Sequence, residues 1–406
     1  MIIVHILLLG LFLYLLFCVL YGFIYSLAGR IGRLKKVEEV PGYKKFAVFI
    51  PSYKEDGVII QSAEEALKQD YPKDFFEVIV IADSLKEATL NKLADLPIRI
   101  INVSFEVSTK AKSLNQAMKV LPEQYDYALI LDADNIMEPA FLSKMNKVIL
   151  ATHCKALQGH RVAKNINTKF AILDAISEEV NNHIYRKGHR VLGFSSGLIG
   201  SGMAFEYSYF KKVMSTVHAV GGFDKELEVK LNRDKVTIEY VEDAMVYDEK
   251  VENAEVFEKQ RRRWISAQLV YLRRYFFASF KHLFLYGNID MFNKVLQFTL
   301  VPRVMLMAVV LVTCILAVLF NIITGISAYP STALWVSLLL IHTVTFLLAI
   351  PSRFYTKETL SAIIEVPRAM LIMFLNFFKL KGANAKYIHT PHSGSFNAGS
   401  QKIRKL

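Results

Sequence analysis

The stretch Tyr127-Ala-Leu-Ile-Leu-Asp-Ala-Asp-Asn135 decides how the chain reads. Ala128 to Leu131 is an apolar run of the length expected for a buried strand, and it leads directly into Asp132-Ala-Asp134. Two carboxylates one residue apart at a strand end are costly unless something neutralises them. A divalent cation does so with hard oxygen ligands, leaving positions open for a phosphate. The plain alternative is a turn, where Asp and Asn are common. In an open α/β sheet, ligands lie at the carboxyl ends of the strands, where this pair falls.

On both sides of this stretch strands alternate with helices. Phe46–Ile50, Glu77–Ala82, Ile98–Val103 and Ala156–His160 read as strands. Val58–Lys68, Thr109–Val120 and Pro139–Leu150 read as helices. The alternation predicts an α/β domain with a largely parallel sheet.

The chain has 406 residues, 53% of them hydrophobic and 21% charged, with a net charge of +12. That is too apolar for an ordinary soluble enzyme and too charged for a pure membrane bundle, so a soluble domain with membrane segments is expected. Ile2–Tyr25 is long enough to span, since about 20 residues cross a bilayer, and it reads as an anchor. Arg30, Arg33, Lys35 and Lys36 follow it, which puts the next segment in the cytoplasm and the α/β domain on the cytoplasmic face of the cell (inner) membrane. Val304–Phe320 and Ala333–Ile350 are two further candidate spans. Ala362–Phe378 is apolar but holds Glu365, Pro367 and Arg368, and reads as interfacial, re-entrant or a fourth span. The expected division is a membrane helix over 1–28, the α/β domain over 40–264, interfacial helices over 265–300, two spans over 301–351, the ambiguous segment 360–380, and a basic cytoplasmic tail over 381–406. Basic residues cluster beside apolar runs, which favours membrane lipids over nucleic acid as a partner. Cys18, Cys154 and Cys314 are far apart and form no disulfide framework or zinc spacing.

Other polar clusters carry chemistry. Ile50-Pro-Ser-Tyr-Lys-Glu-Asp56 ends the first strand and reads as a nucleotide contact or as a loop. Asp83 ends the second, where it either accepts from a nucleoside or caps the next helix. Lys110 lies at a helix start as a phosphate counter-charge or a solvated lysine. Gln260-Arg-Arg-Arg-Trp264 either anchors the chain at the membrane surface or clamps a diphosphate, with the indole on a sugar.

Together, a strand-end Asp, a strand-end Asp-x-Asp, a later acid and Gln-x-x-Arg-Trp resemble the membrane-embedded family 2 glycosyltransferases, the relatives of cellulose, chitin and hyaluronan synthases. The resemblance covers about residues 44 to 270. It implies a GT-A fold, Rossmann-like, with flanking membrane and interfacial helices. It implies inverting transfer from a UDP-sugar to a saccharide or lipid-linked acceptor with Mg2+ or Mn2+, in polysaccharide or glycolipid synthesis, by a hexosyl- or N-acetylhexosaminyltransferase. Pro51, Tyr53, Glu55, Asp83, Lys110 and Asp132 would line the nucleotide, and Asp132 and Asp134 would hold the metal. Gln158, Ser201 and Gly202 would border the donor and acceptor pocket, and Gln260, Arg263 and Trp264 would form the Gln-x-x-Arg-Trp element. The family's Thr-Glu-Asp is where this chain departs: Gly221-Gly-Phe-Asp224 keeps the acid but has Phe223 for the Glu. Glu242-Asp243 is the rival, read as a turn between two extended pieces. Asp224 is favoured as the base because it follows a Gly pair at a helix start and precedes Gln260 by the family's interval. Three spans are few for one protomer to enclose a polymer channel, so a long product would call for a homo-oligomer or an export partner. Two readings of other classes stay open: a membrane-bound nucleotidyltransferase, which would release pyrophosphate, and a non-enzymatic membrane scaffold.

Overall fold

A computed structural model of the chain describes residues 2–219 and 221–378; the expected basic tail over 381–406 lies outside the described residues. One sheet carries β1 (Phe46–Tyr53), β2 (Phe76–Asp83), β3 (Arg99–Val103), β4 (Tyr127–Ile130), β5 (Ile136–Met137), β6 (Ala156–Ala163), β7 (Met203–Glu206) and β8 (Ile238–Asp248). Their order is β3-β2-β1-β4-β7-β6-β8-β5.

From β3 to β4 every pairing is parallel. Helices α2 (Ile59–Ala66), α3 (Glu87–Ala94) and α4 (Lys110–Val120) connect these strands. Because both faces of the sheet are covered, its strands are apolar at successive positions rather than alternating with polar ones. In β1, Ala47 and Phe49 pack with α4, while Phe46, Val48 and Ile50 pack with α2 and with α5 (Phe141–Thr152). Beyond β4 the sheet becomes mixed: β7 runs antiparallel to β4 and β6, and β5 antiparallel to β8, while β6 and β8 are parallel. The α/β expectation holds, and its largely parallel character belongs to the first half.

The second half adds α6 (Lys169–Asn181), a π-helical turn over Asn182–Gly188, α7 (His189–Val191), α8 (Tyr207–Met214) and α9 (Phe223–Arg233). It continues with α10 (Ala254–Tyr286) and α11 (Ile289–Gln297). Two expectations change here. Glu242-Asp243 is not a turn: β8 runs through it with a bulge, where Gly159 and His160 on β6 face Val241 and Met245. An extra stretch of this kind leaves residues out of the ladder without ending the strand. The boundary expected after Trp264 falls inside α10, which is a single helix of 33 residues.

Among the described residues, three helices are long and apolar enough to cross a membrane: α1 (Ile2–Ile31), α12 (Arg303–Thr324) and α13 (Thr332–Ala349). After them come α14 (Lys357–Ala362) and α15 (Val366–Phe378), the latter beside α10, where Asn376 donates to the Glu258 carbonyl at 3.0 Å. Helix α1 is joined to the sheet domain by polar and backbone contacts. Tyr21 donates to Asn293 on α11 at 2.8 Å, and the Tyr25 ring stacks on His189 with centroids 3.7 Å apart. At Gly188 a Cβ would lie 2.1 Å from the Tyr25 carbonyl oxygen. Backbone cannot swing aside as a side chain can, so Gly188→Ala should push α1 away from the π-helical turn. The expected cost is about 1–3 kcal/mol, seen as a lower melting temperature of the detergent-solubilised protein. An unchanged melting temperature would mean that this approach is not a constraint.

Candidate active site

The carboxyl ends of β1, β2 and β4 build the first half of the site. Tyr53 on β1 is in register with Asp83 on β2. Both strands then bend sharply: Lys54 and Ser84 have φ of 57° and 58°, and the Lys54 amide donates to the Asp83 carbonyl at 3.1 Å. The Asp83 side chain is buried; its Oδ1 accepts from the Ser84 hydroxyl at 3.1 Å, while its Oδ2 has no hydrogen-bond partner. An unsatisfied buried acceptor of this kind is expensive, and a ligand N–H or O–H would satisfy it. Pro51 lies within β1, and the Glu55 carbonyl accepts from the amides of Val58 and Ile59 at the start of α2.

Asp132 follows β4. Its Oδ1 accepts from Lys110 at the start of α4, and Lys110 Nζ also donates to the Gly200 carbonyl at 2.6 Å. Thr109 caps α4 by accepting from the Lys112 amide, which fixes the helix start that carries this lysine. The Asp132 amide donates to Ser201 Oγ at 3.0 Å, and Ser201 Oγ donates to Asn135 at 2.6 Å. Asp134 is buried, with Lys164 Nζ 3.4 Å from its carbonyl oxygen. Among the described residues, no group of three or more His, Cys, Asp or Glu side chains could hold a metal ion. A Mg2+ ion is commonly held by only one or two carboxylates together with substrate phosphates.

Gln158, fully buried on β6, spends its amide on the loop 199–202. Its Nε2 donates to the Ser201 carbonyl at 2.9 Å, and its Oε1 accepts from the Ile199 amide at 3.0 Å. Gly202 needs to be glycine: its φ is 61°, and a Cβ would meet Val246 Cγ1 at 2.6 Å. This loop faces the start of α9. Lys110 Nζ lies 5.2 Å over the Phe223 ring, and Asp224 is the next residue, in the first turn of α9. Gly222, with φ 67°, leads into that helix. Asp243 lies elsewhere: it is exposed in the β8 bulge, and its carbonyl accepts from Lys144 at 2.6 Å.

Gln260, Arg263 and Trp264 are at i, i+3 and i+4 on α10 and so share one face of it. The neighbouring Arg261 points into the protein. It pairs with Asp174 of α6, and its guanidinium lies 4.4 Å from the Trp264 ring centroid.

The sequence reading missed a group of buried charges behind the site. Asn135 donates to Asp248 at 3.0 Å, and Asp248 pairs with Lys250 at 2.7 Å and with Arg161 at 3.6 Å. Glu178 on α6 meets Arg161 at 2.7 Å, Arg186 at 3.5 Å and Lys250 at 3.7 Å. Burial alone would push the Glu178 carboxyl up, but Arg161, Lys250 and Arg186 outweigh it and bring it down to about 2. Burial likewise opposes the charge on Asp248, and Arg161 and Lys250 overcome it, holding that carboxyl well below its ordinary range. In the sequence Leu173-Asp-Ala-Ile-Ser-Glu-Glu179, Asp174 and Glu178 stand four apart among apolar residues. That spacing puts the two acids on one helix face but does not say that the face turns inward.

Residues 41–267 match the family described as Glycosyltransferase like family 2. Over 241 residues the chain is 24% identical to the probable glycosyltransferase YdaM of Bacillus subtilis, covering 57% of this chain and 56% of YdaM. Over 133 residues it is 24% identical to the poly(ribitol-phosphate) beta-N-acetylglucosaminyltransferase TarS of Staphylococcus aureus, covering 30% of this chain and 23% of TarS. The chain thus spans only part of the length of these curated relatives. Among solved structures, the mannosyltransferase PcManGT from Pyrobaculum calidifontis, in complex with GDP-Man and Mn2+, aligns with a TM-score of 0.49 at 13% identity, covering 84% of this chain and 97% of that one.

Proposed function

The chain belongs to the family 2-like glycosyltransferases, and from that premise we propose that it moves a sugar from a UDP-sugar to a saccharide or lipid-linked acceptor with inversion. The observation that carries the reading is the junction at Lys110. Its ammonium touches Asp132, the loop before Ser201 and the ring of Phe223, which joins the strand-end acids to the helix that begins beside Asp224. Asp83, with its unpartnered Oδ2, would accept from the base, and Tyr53 would border it. Asp132 and Asp134 would hold Mg2+ or Mn2+, which would offset charge on the departing diphosphate. Asp224 would take the proton of an acceptor hydroxyl. That oxygen bonds to the anomeric carbon as the bond to the UDP oxygen breaks on the opposite face. Gln260, Arg263 and Trp264 would bear on the diphosphate and the sugar.

The direct test incubates the purified protein with a panel of UDP-sugars and Mg2+ or Mn2+ and follows UDP release. Asp132→Asn and Asp134→Asn should each abolish transfer and remove metal-enhanced UDP binding. Equal metal dependence in both variants would overturn the metal assignment, and release of pyrophosphate would point to nucleotidyl transfer instead.

For the base, removing such a group costs about 10²–10⁴-fold in rate. Asp224→Asn should lose at least that much turnover while keeping UDP binding, and Asp243→Asn should stay within a few-fold of the unaltered protein. The reverse result would move the base to Asp243.

The basic residues after α1 favour a cytoplasmic catalytic domain under the positive-inside rule. The link between α12 and α13 would then lie outside the cell membrane. A cysteine at Ser327 should react with an impermeant maleimide on intact cells, and one at Ser84 should not. Labelling at Ser84 would invert the topology.

A further inference from the structure

Asp174, Glu178 and Glu179 project from α6 to three separate parts of the molecule. Glu178 holds the charges beneath the strand ends, and Glu179 reaches His160 at 3.1 Å and Arg353, beyond α13, at 2.6 Å. Asp174 holds α10. Its Oδ1 grips Arg261, and its Oδ2 accepts from the Val251 amide at 3.5 Å, in the segment that joins β8 to α10. Both members of the pair are nearly out of water, with side chains 10% and 11% exposed.

The far side of Arg261 is aromatic. The guanidinium lies 4.8 Å from the Phe257 ring centroid and 4.4 Å from that of Trp264. A planar cation held over an indole restricts where the indole can lie. Arg261 is therefore fixed from one side by a carboxylate and fixes Trp264 on the other. Because Arg263 and Trp264 are adjacent on the same rigid helix, restraining α10 at Arg261 restrains both.

The same α6 face reaches the donor end of the site. Glu178, one helical turn after Asp174, pairs with Lys250, whose partner Asp248 accepts from Asn135. Asn135 accepts from Ser201, which in turn accepts from the Asp132 amide. Strand-end acids and tryptophan helix are thus referred to one short stretch of α6.

We propose that Asp174 is a positioning residue: through Arg261 and the Val251 amide it sets the place of Arg263 and Trp264 relative to the strand-end acids. Its purpose rests on the glycosyltransfer reading; its geometry does not. Asp174 itself touches no reacting atom.

The chain has two tryptophans, Trp264 and Trp335. In full-length Trp335→Phe protein, emission reports Trp264 alone and needs no sugar donor. In that background Asp174→Asn should shift Trp264 emission and raise its quenching by acrylamide. It should lower kcat about 10–100-fold, as small misplacements do, with KM for the UDP-sugar changed little. Unchanged emission, or a loss carried by KM with kcat intact, would overturn the proposal. If Asp174→Asn does not fold, Arg261→Lys serves, since it keeps the charge pair but loses the flat stack. It should shift the emission and lower kcat in the same sense, and unaltered emission would overturn the proposal. A shifted emission in a protein that turns over no nucleotide sugar would keep the positioning and refute the transfer reading. Unshifted emission beside intact transfer would do the opposite.

Discussion

An ionised carboxylate can lie beneath a sheet only if its counter-charges arrive with it, because removing one partner leaves an uncompensated buried charge. Glu178 imposes that condition on the active half of this protein. Its partners come from β6, from the π-helical turn and from the segment after β8, so satisfying it fixes three elements that are distant in sequence. The loop behind Asp132 inherits this order through Asp248, Asn135 and Ser201. An apolar core would have filled the same space with less risk, but it would not have specified which polar atoms face the strand ends. The charged cluster ties those polar atoms to one arrangement.

Strand ends were legible in the sequence because two local signals coincided there. An apolar run announces a buried strand, and an acid placed directly after it announces a polar end; Asp83 and Asp132 both met that pattern. The start of α9 was legible from the Gly221-Gly222 pair, and Leu227, Val229 and Leu231 behind it are all buried in the structure. What failed to show was long-range partnership. Asp174 and Glu178 look like the solvent face of an amphipathic helix until Arg261 and Lys250 are known to lie against them. The three arginines after Gln260 looked alike in sequence, and only the fold separates Arg261, turned inward to α6, from its neighbours. The Glu242-Asp243 bulge escaped for a related reason: an acid pair between β-favourable runs reads locally as a turn, and only the pairing with β6 keeps the strand continuous.

The helices long and apolar enough to cross a membrane were legible by length and hydropathy, yet the junction of α1 with the sheet domain was not. Tyr21 and Tyr25, two of the polar residues on α1, find partners on α7 and α11. Nothing in α1 alone predicts this, because the partners are contributed by the second half of the domain.

The near-contact of Gly188 with the Tyr25 carbonyl has a mechanical consequence. A helix lying backbone to backbone against its neighbour cannot slide past it as a tether of adjustable length would. Were α1 to cross a bilayer, the strand ends would stand at a fixed height above it, and an acceptor would have to bring its hydroxyl to that height by its own reach. A substrate whose reactive end stands too near to or too far from the lipid surface would be refused by distance alone, before any side chain of the pocket inspects it.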